Sequence, residues 1–108
     1  MAYIDVDDNN FDDTLNEELA KGQVVILKFY TEFCDACMGL DMELEDVDDD
    51  NENISVIAID CAECDFTAQR YRVNQVPTMV IMKDKNTILL HREGIMLSSD
   101  IEDIINKA

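Results

Sequence analysis

Two cysteines separated by two residues, Cys34-Asp35-Ala36-Cys37, stand between an apolar run and a stretch with helical spacing, and this placement constrains the chain more than any other feature. The run Val24 to Tyr30 is short, apolar and rich in β-branched and aromatic residues, which reads as a buried strand. A helix is expected to start near Cys34, with Met38, Met42 and Leu44 as its apolar stripe. A thiol at the amino end of a helix meets unpaired backbone N–H groups and the positive end of the helix dipole, and both favour thiolate. Free cysteine titrates near pH ~8.5, and such positions lower this to roughly 3.5–7.5. Only the thiolate attacks a disulfide, so position turns the side chain into a nucleophile. Cys37, three residues on, shares the helical face and is placed to resolve a mixed disulfide.

The rest of the chain alternates strand and helix signals. Tyr3 to Val6 reads as a short first strand. Asn10 is placed to cap a helix through Phe11, Leu15 and Leu19, with Gly22 beyond its end. After the cysteine-headed helix, the acidic run Asp46 to Asn53 reads as a frayed helix end and a loop. Ile54 to Ile59 is a second buried strand and Phe66 to Arg72 a short helix. Pro77 opens a strand over Met79 to Met82, and a polar turn at Asp84 to Asn86 leads into Ile88-Leu89-Leu90. Ser99 and Glu102 form a capping box for a last helix carrying Ile101, Ile104 and Ile105. The resulting order, β-α-β-α-β-α-β-β-α, implies an α/β sheet covered on both faces and ending in an antiparallel hairpin. Function in such sheets collects at the carboxyl ends of strands, where Cys34 falls.

At 108 residues this is expected to be one domain spanning 1–108. Eight basic against 25 acidic residues give a net charge of −17, which argues against nucleic acid and anionic membranes as partners, since both need clustered Lys or Arg. The stretch Met1 to Asp7 has neither the basic nor the apolar region of a leader, and no segment reaches bilayer-spanning length. A cytoplasmic location is expected, where structural disulfides are rare and cysteines tend to be catalytic or metal-binding.

The segments Phe29 to Cys37, Val56 to Asp60, Val76-Pro77-Thr78 and Gly94 together resemble the thioredoxin family over nearly the whole chain. The resemblance implies a thioredoxin fold, with a central mixed sheet of four to five strands flanked by helices on both faces. It implies a protein-disulfide reductase that needs no bound cofactor, acts on disulfide-containing proteins and takes electrons from a flavoprotein reductase. Carried over residue by residue, Cys34 is the attacking thiolate, Cys37 the buried resolving thiol, and Pro77 a cis proline. Phe33, Val76, Pro77, Gly94 and Ile95 form the groove for the partner's extended segment. Taken singly, Phe33 and Ile95 read equally well as ordinary surface hydrophobes.

Several residues depart from the family pattern. Asp35-Ala36 replaces the usual Gly-Pro, and a carboxylate beside the nucleophile opposes thiolate formation. The buried acid usual six residues before the first cysteine is Lys28 here, and the lysine usual on the neighbouring strand is Ala58. Lys28 either relays a proton or favours thiolate by its charge, or it snorkels to the surface with no chemical part. Tyr30 and Phe33 stand where tryptophans are common.

A second pair, Cys61-Ala62-Glu63-Cys64, leaves three readings open. The two are ordinary small buried or surface thiols, a second redox-active or regulatory pair, or half of a four-thiolate zinc site with Cys34 and Cys37. The flanking strands and the missing knuckle glycines weigh against zinc, so no metal site is assigned. His91, the sole histidine, is expected to face solvent on an edge strand. Two functional alternatives to the reductase remain, a redox-sensing or binding module with little turnover and a zinc-stabilised fold.

Overall fold

The computed structural model describes residues 3–108. Met1 and Ala2, part of the stretch inspected above for a leader, lie outside the described residues. The elements are β1 (Ile4–Asp5), α1 (Phe11–Ala20), β2 (Val24–Tyr30), α2 (Asp35–Asp50), β3 (Ile54–Asp60), α3 (Asp65–Arg70), β4 (Thr78–Asp84), β5 (Thr87–Glu93) and α4 (Ser98–Asn106). The strands form one mixed sheet in the order β1-β3-β2-β4-β5. β3 runs parallel to β1 and β2, while β4 runs antiparallel to β2 and β5, so the expected closing hairpin is present. Among the described residues, no helix is long and apolar enough to cross a membrane.

Strand side chains alternate between faces, and this alternation sorts the core into two layers. Val24, Ile26, Val56, Met79 and Ile81 face α2 and α4, meeting Leu40, Leu44, Val47, Ile101 and Ile105. Val25, Leu27, Phe29, Ile57, Ile59 and Val80 face the other way, toward Phe11 and Leu15 of α1 and Ala68 of α3. Lys28 is in phase with Val24 and Ile26, so the pleat itself directs it beneath α2.

Several local expectations need correction. Leu44 of the expected stripe is buried, but Met38 and Met42 are exposed, and Cys37, Leu40 and Val47 complete the buried face of α2. Apolar residues at positions 38, 40, 42 and 44 alternate by two, so more than one helical face fits them. The acidic run is a helix end followed by a loop, as expected, but its helical part is ordered rather than frayed. α2 continues to Asp50 because Val47 is fully buried and anchors its last turns. That carboxyl end therefore carries Asp46, Asp48, Asp49 and Asp50 with no basic residue in the last turn. Lastly, α4 starts at Ser98, which puts Ser99 inside the first turn rather than at its cap. The Glu43 carboxylate of α2 takes the Ser98 N–H at 2.9 Å, a charge well suited to a helix amino end.

The loop ends are closed by other acids. Asn10 precedes α1 without capping it through its side chain. Its amide oxygen instead accepts the Asp7 N–H at 2.8 Å, and Asp7 Oδ1 accepts from the Asn9 and Asn10 N–H groups. Asp8 accepts from the Phe66 and Thr67 N–H groups and from Thr67 Oγ1, which ties the loop after β1 to the start of α3. These hydrogen bonds, led by the Thr67 hydroxyl, hold the Asp8 carboxyl below its usual range.

Candidate active site

β2 ends at Tyr30, and a turn through Thr31, Glu32 and Phe33 delivers Cys34 to the amino end of α2. Phe33 makes the turn with φ +58° and is fully exposed. Cys34 is the N-cap residue, in extended conformation, and its Sγ accepts the Cys37 N–H at 3.1 Å. The two cysteines are joined as a disulfide with their Cα atoms 5.2 Å apart. Cys34 is partly exposed and Cys37 buried, so the pair presents one sulfur outward and keeps the other inside.

The Val76–Pro77 bond is cis, as expected. Thr78 pairs with Phe29 across β4 and β2, which sets Pro77 beside the end of β2 from which the cysteine turn departs. The Pro77 carbonyl accepts the Gly94 N–H at 2.8 Å, fixing the segment between β5 and α4 against the proline. Gly94 has φ +87°, a conformation that costs most other residues free energy. Ile95 follows, half-exposed, with its side chain over Gly39 of α2. A Cβ added at Gly39 would come within 2.9 Å of Ile95 Cδ1. Phe33, Pro77, Gly94 and Ile95 thus belong to segments gathered around the disulfide. Val76 lines an adjoining cleft with Thr31 and Cys61. Asp35 is exposed in the first turn of α2 and contributes no wall to either cleft.

Behind the disulfide lies a cavity of about 270 Å³ lined by Cys34, Cys37, Phe33, Lys28, Tyr30, Ala58 and two residues that no motif marks as part of a site, Tyr3 and Asp41. Lys28 is 3 % exposed, which rules out snorkelling to the surface. Its ammonium forms an ion pair with Asp41 and lies 4.7 Å from the Tyr30 ring centroid and 5.0 Å from that of Tyr3. The Tyr3 hydroxyl donates to the same Asp41 oxygen. Burial, then the hydrogen bond to Asp41, pushes the Tyr3 phenol far above its ordinary range, so it stays a donor. Ala58 faces Lys28 across β2 and β3, and its small side chain leaves the space these groups occupy. Asp41 was findable from the chain alone, since it follows Cys37 by one helical turn.

Cys61 and Cys64 are free thiols. The Cys61 N–H bonds the Tyr30 carbonyl at 2.9 Å, which brings the second pair to the end of β2, near the first. Cys64 is buried, and its thiol donates to the Val6 carbonyl at 3.4 Å. Burial, with nearby carboxylates adding to it, pushes both thiols up. Among the described residues, no three His, Cys, Asp or Glu side chains converge as a metal-holding set, and the four-thiolate arrangement is not assembled. His91 is exposed on β5, with Nε2 2.9 Å from the Tyr71 carbonyl, to which it donates.

The family model described as thioredoxin matches residues 2–107. The chain belongs to the thioredoxin family. Similar members include the thioredoxin of Bacillus subtilis, 26 % identical over 108 residues and covering 99 % of this chain and 98 % of the relative. A thioredoxin of Chlorobaculum thiosulfatiphilum is 32 % identical over 82 residues, 75 % of this chain and 73 % of that one. Among solved structures, chloroplastic thioredoxin z superposes with a TM-score of 0.83 at 23 % identity, covering 99 % of this chain and 94 % of that chain. Membership in the thioredoxin family, with Cys34 and Cys37 bonded at the head of α2, makes this protein a thiol–disulfide oxidoreductase whose substrates are disulfide-containing proteins.

Proposed function

We infer that the protein reduces disulfides in protein partners, with Cys34 as attacking thiolate and Cys37 as resolving thiol. The observation that carries this assignment is the asymmetry of the pair, an outward N-cap sulfur and a buried one a helical turn behind it. Cys34 Sγ attacks one sulfur of the partner's disulfide, and the other partner sulfur leaves as thiolate. Cys37 then attacks Cys34 Sγ, releases the second partner thiol and closes the disulfide seen here. Phe33, Val76, Pro77, Gly94 and Ile95 hold the partner's extended segment. Asp35 works against thiolate at Cys34, while the amino end of α2 works for it.

Electrons to reopen the pair come, in this reading, from a flavoprotein reductase, and the working compartment is the reducing cytoplasm. The free Cys61 and Cys64 thiols suit such a compartment. Their raised pKa values leave them as poor nucleophiles, so neither is given a part in turnover. The test is insulin disulfide reduction by the protein, by Cys34→Ser and by Cys37→Ser. Cys34→Ser is expected to be inactive, and Cys37→Ser to accumulate a mixed disulfide with its substrate. Equal rates for Cys34→Ser and the unaltered protein would overturn the assignment.

A further inference from the structure

The assignment of Cys37 leaves one chemical question, namely where its proton goes. Cys37 is 3 % exposed, so bulk water does not take that proton directly. The cavity behind the sulfurs offers few acceptors. Lys28 is a cation with donors only, and the Tyr3 phenol stays protonated under burial and its bond to Asp41. The Tyr30 phenol is likewise pushed up, by burial and by Asp60 and Asp5. Two carboxylates remain. Asp5 is exposed on β1, on a different element from the cysteines. Asp41 lies one turn beyond Cys37 on the same face of α2.

We propose that Asp41 accepts the Cys37 proton in the resolving step, with Lys28 and Tyr3 as positioning residues that hold its carboxylate toward the cavity. The proposal rests on the dithiol reading above and deepens it. Both donors converge on Asp41 Oδ1, and among the described residues Oδ2 takes no hydrogen bond. The Cys37 thiol passes its proton to that carboxylate, directly or through a water in the cavity, which is many times larger than one water. The Cys37 thiolate then attacks Cys34 Sγ, the Cys34–partner bond breaks, and the departing partner thiolate recovers a proton from the solvent at the cavity mouth. Two electrons pass from the dithiol to the partner, and one proton rests on Asp41 until solvent removes it.

The pairing also explains the buried lysine. Its side chain is 4 % exposed, and Asp41, 35 % exposed at the cavity wall, supplies the counter-charge a buried cation needs. Other charges near this group are Glu45 and Asp48, which raise the Tyr3 phenol further from along α2. Glu43 is turned away to α4, where it accepts from Ser98.

Reduced protein mixed with less than one equivalent of dithiobis(nitrobenzoate) separates the steps, because Cys34 attack releases one coloured thiolate and Cys37 resolution releases the second. Asp41→Asn is expected to slow the second phase at neutral pH by roughly 100-fold, the low end for general base catalysis. Its rate should climb about tenfold per pH unit toward that of the unaltered protein, as expected when hydroxide substitutes for the missing base. The first phase should be unchanged. Since Asp41→Asn leaves a buried cation without its partner, the double variant Asp41→Asn with Lys28→Met serves as the folded control and should show the same slow second phase. Lys28→Met alone, which keeps the carboxylate, should remain far faster than either. A second phase of normal rate and pH profile in the double variant overturns the proposal. So does a Lys28→Met protein as slow as Asp41→Asn. Loss of both phases in the unaltered protein would instead sink the dithiol reading itself.

Discussion

Gly39→Ala sets two effects against each other at the edge of the groove. Glycine inside α2 costs about 0.8–1.0 kcal/mol relative to alanine through backbone entropy. Against this gain, the new Cβ would lie 2.9 Å from Ile95 Cδ1 and 3.7 Å from Cγ1, so the terminal methyl must move while the rest of the side chain need not. A fully buried methylene contributes about 0.8 kcal/mol, and Ile95 is already 48 % exposed, so lifting one methyl forfeits about half of that. The helix term wins, leaving a net stabilisation of about 0.5 kcal/mol, or about 2 °C in Tm for a chain of this length. Thermal and urea unfolding of the oxidised protein measure it. In an Ile95→Val background, which lacks Cδ1, the same substitution should deliver the whole helix gain of about 0.8–1.0 kcal/mol. A lowered Tm for Gly39→Ala, or an equal effect in both backgrounds, would refute the reasoning. The displaced methyl also narrows or widens the groove, so kcat/KM for protein disulfides should change while reduction of small disulfides does not.

Glu18→Ala removes the acceptor for the buried Ser55 hydroxyl, 2.7 Å away, and is expected to cost about 1–2 kcal/mol in urea unfolding. Hydrogen bonds from Lys21 and then Ser55 hold the Glu18 carboxyl below its ordinary 4.5, so its contribution is whole above that pH and is lost as pH falls through the lower folded value. The stability gap between Glu18→Ala and the unaltered protein should therefore shrink in strong acid, and a gap that widens there would contradict the assignment. Phe33→Ala should leave unfolding within about 0.5 kcal/mol, because the ring is fully exposed, while protein-disulfide reduction slows. Iodoacetamide labelling of reduced protein at neutral pH should find Cys61 and Cys64 slow, Cys64 the slower, with both accelerating as pH rises. Labelling of Cys61 as fast as Cys34 would contradict that ordering.

Most of the architecture was readable in the chain, because Val24 to Tyr30 and Ile54 to Ile59 are apolar runs interrupted only by Lys28 and Ser55, a pattern that suits strands buried on both faces. The cis proline and the disulfide-bonded pair were accessible through the family likeness carried by Phe29 to Cys37 and Val76-Pro77-Thr78. The exposure of Met38 and Met42 was not, since periodicity alone does not choose among faces that each carry apolar residues. Nor was the fate of Lys28, whose counter-charge sits on another element and whose roof is the Tyr3 ring. The start of α4 misled for a related reason. Glu43 reaches it from α2, and a cap borrowed from a distant segment leaves no local mark at Ser99 and Glu102.

The acids crowded at the carboxyl end of α2 carry a consequence of their own. The macrodipole already places partial negative charge there, and each misplaced carboxylate is expected to cost about 0.3–1 kcal/mol at low ionic strength. Dissolved ions shorten the reach of such repulsion from about 10 Å at 0.1 M to about 3 Å at 1 M, while the sheltered Lys28–Asp41 pair feels them far less. Brine should therefore tighten this molecule where it loosens most others held by surface ion pairs, and the tightening should begin at the end of α2 farthest from the sulfurs.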